Sequence, residues 1–140
     1  MSAELLPDYT GPFFKSFRDG SRYVLPGDSR DIPCGVFTIR ATIVPDYDSR
    51  ATDFDCYSPE QLAAWARDEW HYVGVVLSIH WGDEITLDRN AASLWGLECN
   101  LDDDNSYLSE AANDLIPLAI ARATELRDMM RNAFSNAREG

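Results

Sequence analysis

The stretch that decides the fold is WHYVGVVLSIHWGDEITLDRNAASLWGLEC, residues 70–99. Its first part alternates between apolar and polar positions, which is typical of a strand with one buried face; the buried positions are Val73, Val75, Leu77 and Ile79. Residues 82–84 (GDE) interrupt the pattern, and a second alternation follows at residues 85–88. The sequence therefore predicts a hairpin, and a third short strand over residues 93–97 completes a meander.

A further strand is predicted upstream, over residues 35–45, and Pro45 ends it. Its inward positions are Phe37, Ile39, Ala41 and Ile43. In residues 1–35, proline and glycine recur every few positions, so we expect an irregular arm across the sheet. One short strand around Arg22–Leu25 is the regular structure expected in that arm.

Two helices are predicted. Ser58-Pro59-Glu60-Gln61 combines an N-cap, a first-turn proline and a capping-box partner, and predicts a short helix that runs to about Asp68. Apolar residues at spacings of three and four predict a long helix from about Ser106 to Phe134. Pro117 lies inside this pattern, so we expect a kink or a break there.

These elements predict an α+β fold, an antiparallel sheet of about four strands packed against a long C-terminal helix and one short helix. At 140 residues, the chain is predicted to form a single domain over residues 1–140.

The formal net charge of −12 opposes direct binding of nucleic acid and favours partners with basic surfaces. Three widely spaced cysteines match neither a disulfide framework nor a zinc site, so we expect buried free thiols, a soluble protein and a cytoplasmic location. No signal peptide and no membrane-spanning segment are predicted.

The carboxylates are concentrated in two segments, residues 46–55 and 98–114. Residues 102–104 are three consecutive aspartates before the long helix, where the helix dipole favours negative charge. They do not fit a calcium-binding loop, because Tyr107 and Asn113 stand where that loop needs glycine and glutamate. The acidic segments are either a solvated face without a role or a surface that imitates the phosphates of a duplex.

Nothing in the sequence predicts catalysis, a metal or a cofactor. His71 and His80 are nine residues apart on one strand, so they point to opposite faces and cannot act as a pair. The tryptophans Trp65, Trp70, Trp81 and Trp95 are either core residues or interaction residues, and Trp81 beside the Gly82 turn is the best candidate for exposure.

Three segments, WHYVGVV (70–76), ASLWGLE (92–98) and YLSEAANDL (107–115), resemble small acidic proteins encoded by bacteriophages and plasmids. The resemblance implies an origin in a mobile element, where small acidic proteins often look like anti-CRISPR or anti-restriction inhibitors. It carries over no functional residues, and it does not extend to the first 60 residues.

The predicted function is a non-enzymatic inhibitor, located in the cytoplasm of a bacterial host, that binds a basic, nucleic-acid-handling host protein such as a CRISPR surveillance complex. The predicted contact residues are Asp46, Asp48, Asp53, Asp55, Glu98, Asp102, Asp103 and Asp104. The alternative is a phage structural or assembly protein that forms homo-oligomers through its apolar arm and tryptophans. A small-molecule or metal-dependent enzyme is a third option, and it requires a polar pocket or a bound ion.

Overall fold

The computed structural model describes residues 11–17, 23–82, 84–101 and 105–139, with side chains to residue 136. It confirms the predicted α+β class. The elements are β1 (Ser29–Cys34), β2 (Phe37–Pro45), a 3₁₀ helix (Ala51–Asp53), α1 (Pro59–Ala66), β3 (His71–Trp81), β4 (Ile85–Cys99) and α2 (Ser106–Glu139). The four strands form one antiparallel sheet in the order β1-β2-β3-β4.

One face of the sheet carries the core. In β2 the predicted inward residues are all buried, and each lies opposite an odd-numbered residue of β3, as Ile39 does opposite Ile79. Side chains of α2 pack on this face, among them Leu108, Ala112, Ile116 and Ala119. Phe14, Phe17 and Val24 from the N-terminal segment complete the same cluster.

Of the kink or break expected at Pro117, the break is absent, because α2 is one helix from Ser106 to Glu139 with Pro117 inside it. A proline removes one backbone hydrogen bond from a helix interior. Ile116 and Ala119, on either side of Pro117, are fully buried against the sheet. We attribute the continuity of the helix to this packing, since tertiary burial outweighs the local cost of the proline.

The second and third strands of the predicted meander are a single strand, β4, and the prediction of two short strands there is wrong. Three irregularities in the pairing of β3 with β4 accommodate the extra residues of β4. Leu77 and Ile79, for example, lie opposite Ala92 and Asp88. At a bulge the strand stays paired, but the side chains that point to the core change from odd to even positions or back. The sequence of β4 therefore has the pattern of two separate strands.

The N-terminal region also differs from the prediction. Residues 23–25 of the segment expected to form a strand are not in a strand, and Arg22 lies outside the described residues. A strand instead forms at Ser29–Cys34, within the arm that was predicted to be irregular. Pro33 suggested a break, but β1 is at the edge of the sheet, where proline is tolerated because no outer neighbour needs its N–H.

The short helix α1 begins as predicted and ends two residues earlier, at Ala66. Gln61 N donates to Ser58 Oγ at 3.1 Å and Ser58 N donates to Gln61 Oε1 at 2.8 Å, so the capping box is present. The buried Trp70 donates from its indole Nε1 to Gln61 O at 2.9 Å, which fastens α1 to the start of β3.

Candidate interaction surface

The structure brings the first acidic segment and the start of the second, at Glu98, to the same end of the sheet. The hydroxyl of Tyr57, just after the first segment, donates to the carboxylate of Glu98 in the second. Leu101, the residue before the three aspartates, packs against the cluster of Ala51, Trp70 and Tyr72 that supports the first segment. Glu98 and Leu101 therefore contact the same group of residues that packs under the first acidic segment.

Asp46 has a structural role at this end. Its carboxylate accepts hydrogen bonds from Asp48 N at 3.0 Å, Ser49 Oγ at 3.0 Å and Gly96 N at 2.8 Å, so it closes the turn after β2 and ties it to β4. Partial burial opposes ionisation of this carboxyl, but the hydrogen bonds outweigh burial and lower its pKa. Gly96 has φ +75°, a conformation that glycine adopts without strain.

Glu98 is also engaged within the molecule. Tyr57 Oη lies 2.7 Å from Tyr72 Oη, so the two phenols and the carboxylate form a short chain of hydrogen bonds. Burial, together with the bonds to Glu98 and Tyr72, raises the pKa of Tyr57. Tyr57 is therefore a protonated donor at neutral pH, and Glu98 is half-buried between the elements that it joins.

The other described acidic residues of the first segment are available for binding. Asp48, Asp53 and Asp55 are exposed, and no ion pair involves them within the described part of the chain. Residues 46–69 contain seven carboxylates and two arginines. One of the arginines, Arg67, pairs with Glu69 at 2.6 Å, so the carboxylates of the loop are not neutralised by it.

The predicted contacts Asp102, Asp103 and Asp104 lie outside the described residues. The residues on either side of them are placed. Leu101 packs in the cluster described above, and Asn105 Nδ2 donates to Asn100 Oδ1 at 2.9 Å. Leu101 is thus placed beside the first acidic segment, and Asn105 is held by Asn100.

Three aromatic residues lie beside the acidic groups; Tyr47 and Phe54 were not predicted as site residues, and for Trp95 the sequence left core and interaction roles open. Tyr47 is 88% exposed, Phe54 49% and Trp95 46%. Trp81 is exposed as predicted, at 45%, but Trp95 is equally so. The signal that could have identified Trp95 is Gly74 on the neighbouring strand, because a Cβ on Gly74 lies 2.3 Å from the Trp95 ring and only glycine leaves room for the ring there.

Two cavities adjoin the Asp46–Ser49 turn. One measures about 610 Å³ and lies between the turn and Trp95. The other, of about 540 Å³, lies between the turn and α1, and its wall includes Arg50, Trp65 and His71. The acidic turn is thus flanked on both sides by concave surface with aromatic walls, and of the two cavities the one beside α1 also has basic residues in its wall.

The histidines lie on opposite faces of the sheet, as predicted. His80 Nε2 is 2.7 Å from Ser78 Oγ, and His80 Nδ1 is 3.2 Å from Thr86 Oγ1. Burial and the nearby Arg40 lower the pKa of His80. Ser78 and His80 lie on β3 and Thr86 lies on β4, so the contact between His80 and Thr86 joins neighbouring strands.

The cysteines are free in the structure, but the expectation that all are buried is wrong, because Cys56 is exposed while Cys99 is buried. Among the described residues, no three His, Cys, Asp or Glu side chains are grouped so that they could hold a metal ion. None of the described helices combines the length and apolar character that crossing a bilayer requires.

No protein-family model matches the sequence, and no curated protein or solved structure matches it either.

Proposed function

We propose that the protein is an acidic inhibitor, encoded by a mobile element, that binds a basic, nucleic-acid-handling host protein through the end of the sheet where its acidic segments meet. The observation that carries this proposal is the pairing of Tyr57 with Glu98, which joins the two segments. The resulting surface is defined here as the acidic face; its described carboxylates are Asp46, Asp48, Asp53, Asp55 and Glu98.

The roles of these carboxylates differ. Asp46 and Glu98 are held by hydrogen bonds from their own chain, so they position the loop and the strand. Asp48, Asp53 and Asp55 are exposed and contribute direct contacts, and the proposal assigns Asp102–Asp104 to the same contact. A rigid array of carboxylates displaces counterions from a basic groove, as a phosphate backbone does, and gains affinity that depends on salt.

Exposed aromatic residues beside the charges support binding to a protein. Tyrosine and tryptophan are enriched at the centres of protein interfaces, whereas a solvated acidic face has no need of them. Tyr47, Phe54 and Trp95 supply such apolar area among the carboxylates. The acidic face therefore combines steering charge with residues able to anchor a complex.

The proposal is tested by competition with DNA. The acidic protein is used at low salt to capture basic nucleic-acid-binding complexes from a bacterial host. The captured complexes are identified and purified, and each is titrated with fluorescent duplex DNA. The expected result is that the acidic protein displaces the DNA, and that its apparent affinity falls steeply between about 50 and 200 mM salt, on the order of 10³-fold. Capture without displacement of DNA would contradict inhibition by charge imitation.

The alternative function, an oligomerising assembly protein, is favoured by apolar side chains on the outer side of α2. Leu118 is 60% exposed and Met129 59%. They are about three helical turns apart, so they lie along one face of the helix. This function requires the protein to form a stable homo-oligomer through that face.

A further inference from the structure

The cavity between the turn after β2 and Trp95 has the features of a binding site for a side chain. Its volume is about 610 Å³, and it is lined by Pro45, Asp46, Tyr47, Asp48, Ser49, Trp95 and Gly96. This wall combines two aromatic residues with two carboxylates. Neither lysine, arginine nor histidine is among these described lining residues, whereas Arg50 and His71 line the cavity on the other side of the turn.

Trp95 forms a fixed aromatic wall. One side of its ring lies on the backbone of Gly74, so close that a Cβ added to Gly74 would be 2.3 Å from the ring. Its indole Nε1 donates to Ser93 Oγ at 3.1 Å, which sets the orientation of the ring. Because the residue is 46% exposed and lines the cavity, the remaining surface of the indole is open to a ligand.

The carboxylates of the cavity provide a negative potential beside this ring. Asp46 is held in place by its hydrogen bonds to Ser49 and Gly96. Asp48 is exposed, and within the described residues no ion pair involves it. A cation on the indole face is thus attracted both by the ring and by the carboxylates.

We propose that this cavity binds an arginine side chain of the partner, with the guanidinium stacked on Trp95 and paired with Asp48. Arginine fits better than lysine, because its planar group stacks on an aromatic ring, forms paired hydrogen bonds with a carboxylate and is more weakly hydrated than an ammonium. The inference rests on the proposed function, since basic nucleic-acid-handling proteins present arginines on their binding surfaces. It specifies where on the acidic face one of them is held.

The test uses a small probe and the full-length protein. N-acetyl-arginine amide is titrated into the ¹⁵N-labelled protein, and the Trp95 indole and Gly96 amide resonances are followed. We expect saturable shifts with a dissociation constant on the order of 1–10 mM. N-acetyl-citrulline amide, which has the same shape without the charge, is expected to give no saturable shift, and the lysine analogue to bind several-fold more weakly than arginine.

Three variants and a matched control locate the site. Trp95→Leu and Asp48→Asn are each expected to weaken binding of the arginine probe by about five-fold or more, and Trp95→Tyr to retain most of it. Trp81→Leu is the control, because Trp81 is equally exposed at the other end of β3, and it is expected to leave the affinity unchanged. The Trp95→Tyr variant, followed at the Gly96 amide, distinguishes loss of the ring contact from loss of the fold, because it replaces Trp95 but keeps an aromatic ring.

The outcomes distinguish this inference from the proposed function. Equal shifts with arginine and citrulline probes, or an undiminished affinity in Trp95→Leu, overturn the arginine site. If displacement of DNA by the protein persists in that case, the proposed function stands without the site. If the probe binds as expected and no nucleic-acid-handling protein is inhibited, the site stands and the proposed function fails.

Discussion

The hydroxyl of Tyr57 donates a hydrogen bond to the carboxylate of Glu98 across 41 positions of the sequence. This bond joins the loop after β2 to the outer strand of the sheet, and Tyr72 adds a second phenol to the same group at 2.7 Å. The two acidic segments are linked by this junction. Loss of this bond is expected to destabilise the acidic face more than the rest of the sheet.

Tyr57→Phe removes the donor and leaves the half-buried Glu98 without it. We expect the free energy of unfolding to fall by about 1.5–3 kcal/mol, the contribution typical of a hydrogen bond to a charged group. Urea denaturation followed by fluorescence measures the change. Tyr47→Phe is the control, because Tyr47 is 88% exposed, and it is expected to change stability by less than about 0.5 kcal/mol.

Gly74→Ala is expected to destabilise the protein by about 1–3 kcal/mol, because the new Cβ lies 2.3 Å from the Trp95 ring and the ring must move. A double-mutant cycle with Trp95→Leu checks the cause. If the collision accounts for the effect, Gly74→Ala costs much less when it is combined with Trp95→Leu. An equal cost in both backgrounds would show that the backbone of β3, and not the ring, resists the change.

Asp46→Asn tests the turn that positions the acidic face. Burial opposes ionisation of Asp46, but the hydrogen bonds from Asp48, Ser49 and Gly96 lower its pKa from the ordinary value of 3.8, so the ionised group stabilises the fold above that pH. We expect the variant to be less stable at pH 7 by about 1–3 kcal/mol. The difference should disappear as the pH falls through the lowered pKa. The exposed Asp55→Asn is the control, and its effect is expected to be small at every pH.

His80 makes the stability depend on pH in a higher range. Burial lowers its pKa, and Arg40 adds to the effect, so the unfolded chain binds the proton more readily than the folded one. The contribution of the neutral side chain is fully present above pH 6.5 and is lost as the pH falls below that value. Denaturation at about pH 7.5 and about pH 5.5, on either side of the ordinary histidine pKa, should show a smaller decline in the His80→Gln variant than in the parent.

The fold class and the buried face of β2 could be predicted from the sequence, because alternation and capping are local signals. The single strand β4 could not, since its bulges displace the alternation and are stabilised only by pairing with β3. Pro33 and Pro117 misled for the same reason. The effect of each proline depends on its position in the fold, at a sheet edge for Pro33 and in a packed helix for Pro117. That position is determined by residues far away in the sequence.

The site was predictable only in part. Acidic residues were visible as two segments, but the sequence contains no sign that Tyr57 and Glu98 join them. Nor does it distinguish Asp46, whose carboxylate is used within the fold, from the exposed Asp48 two positions later. That distinction depends on Gly96 N, which reaches Asp46 from another strand.

The measurement that tests the central claim most directly is the inhibition constant for DNA binding by the captured host complex, compared between two triple variants. Asp48→Asn/Asp53→Asn/Asp55→Asn removes three charges from the acidic face, and Glu84→Gln/Glu125→Gln/Asp128→Asn removes the same number of charges elsewhere. We expect the first to weaken inhibition by at least about 100-fold, since close charge pairs at interfaces each contribute about 1.5 kcal/mol or more, and the second by less than about three-fold. Equal losses in both variants would contradict the account, because net charge, and not the acidic face, would then govern binding.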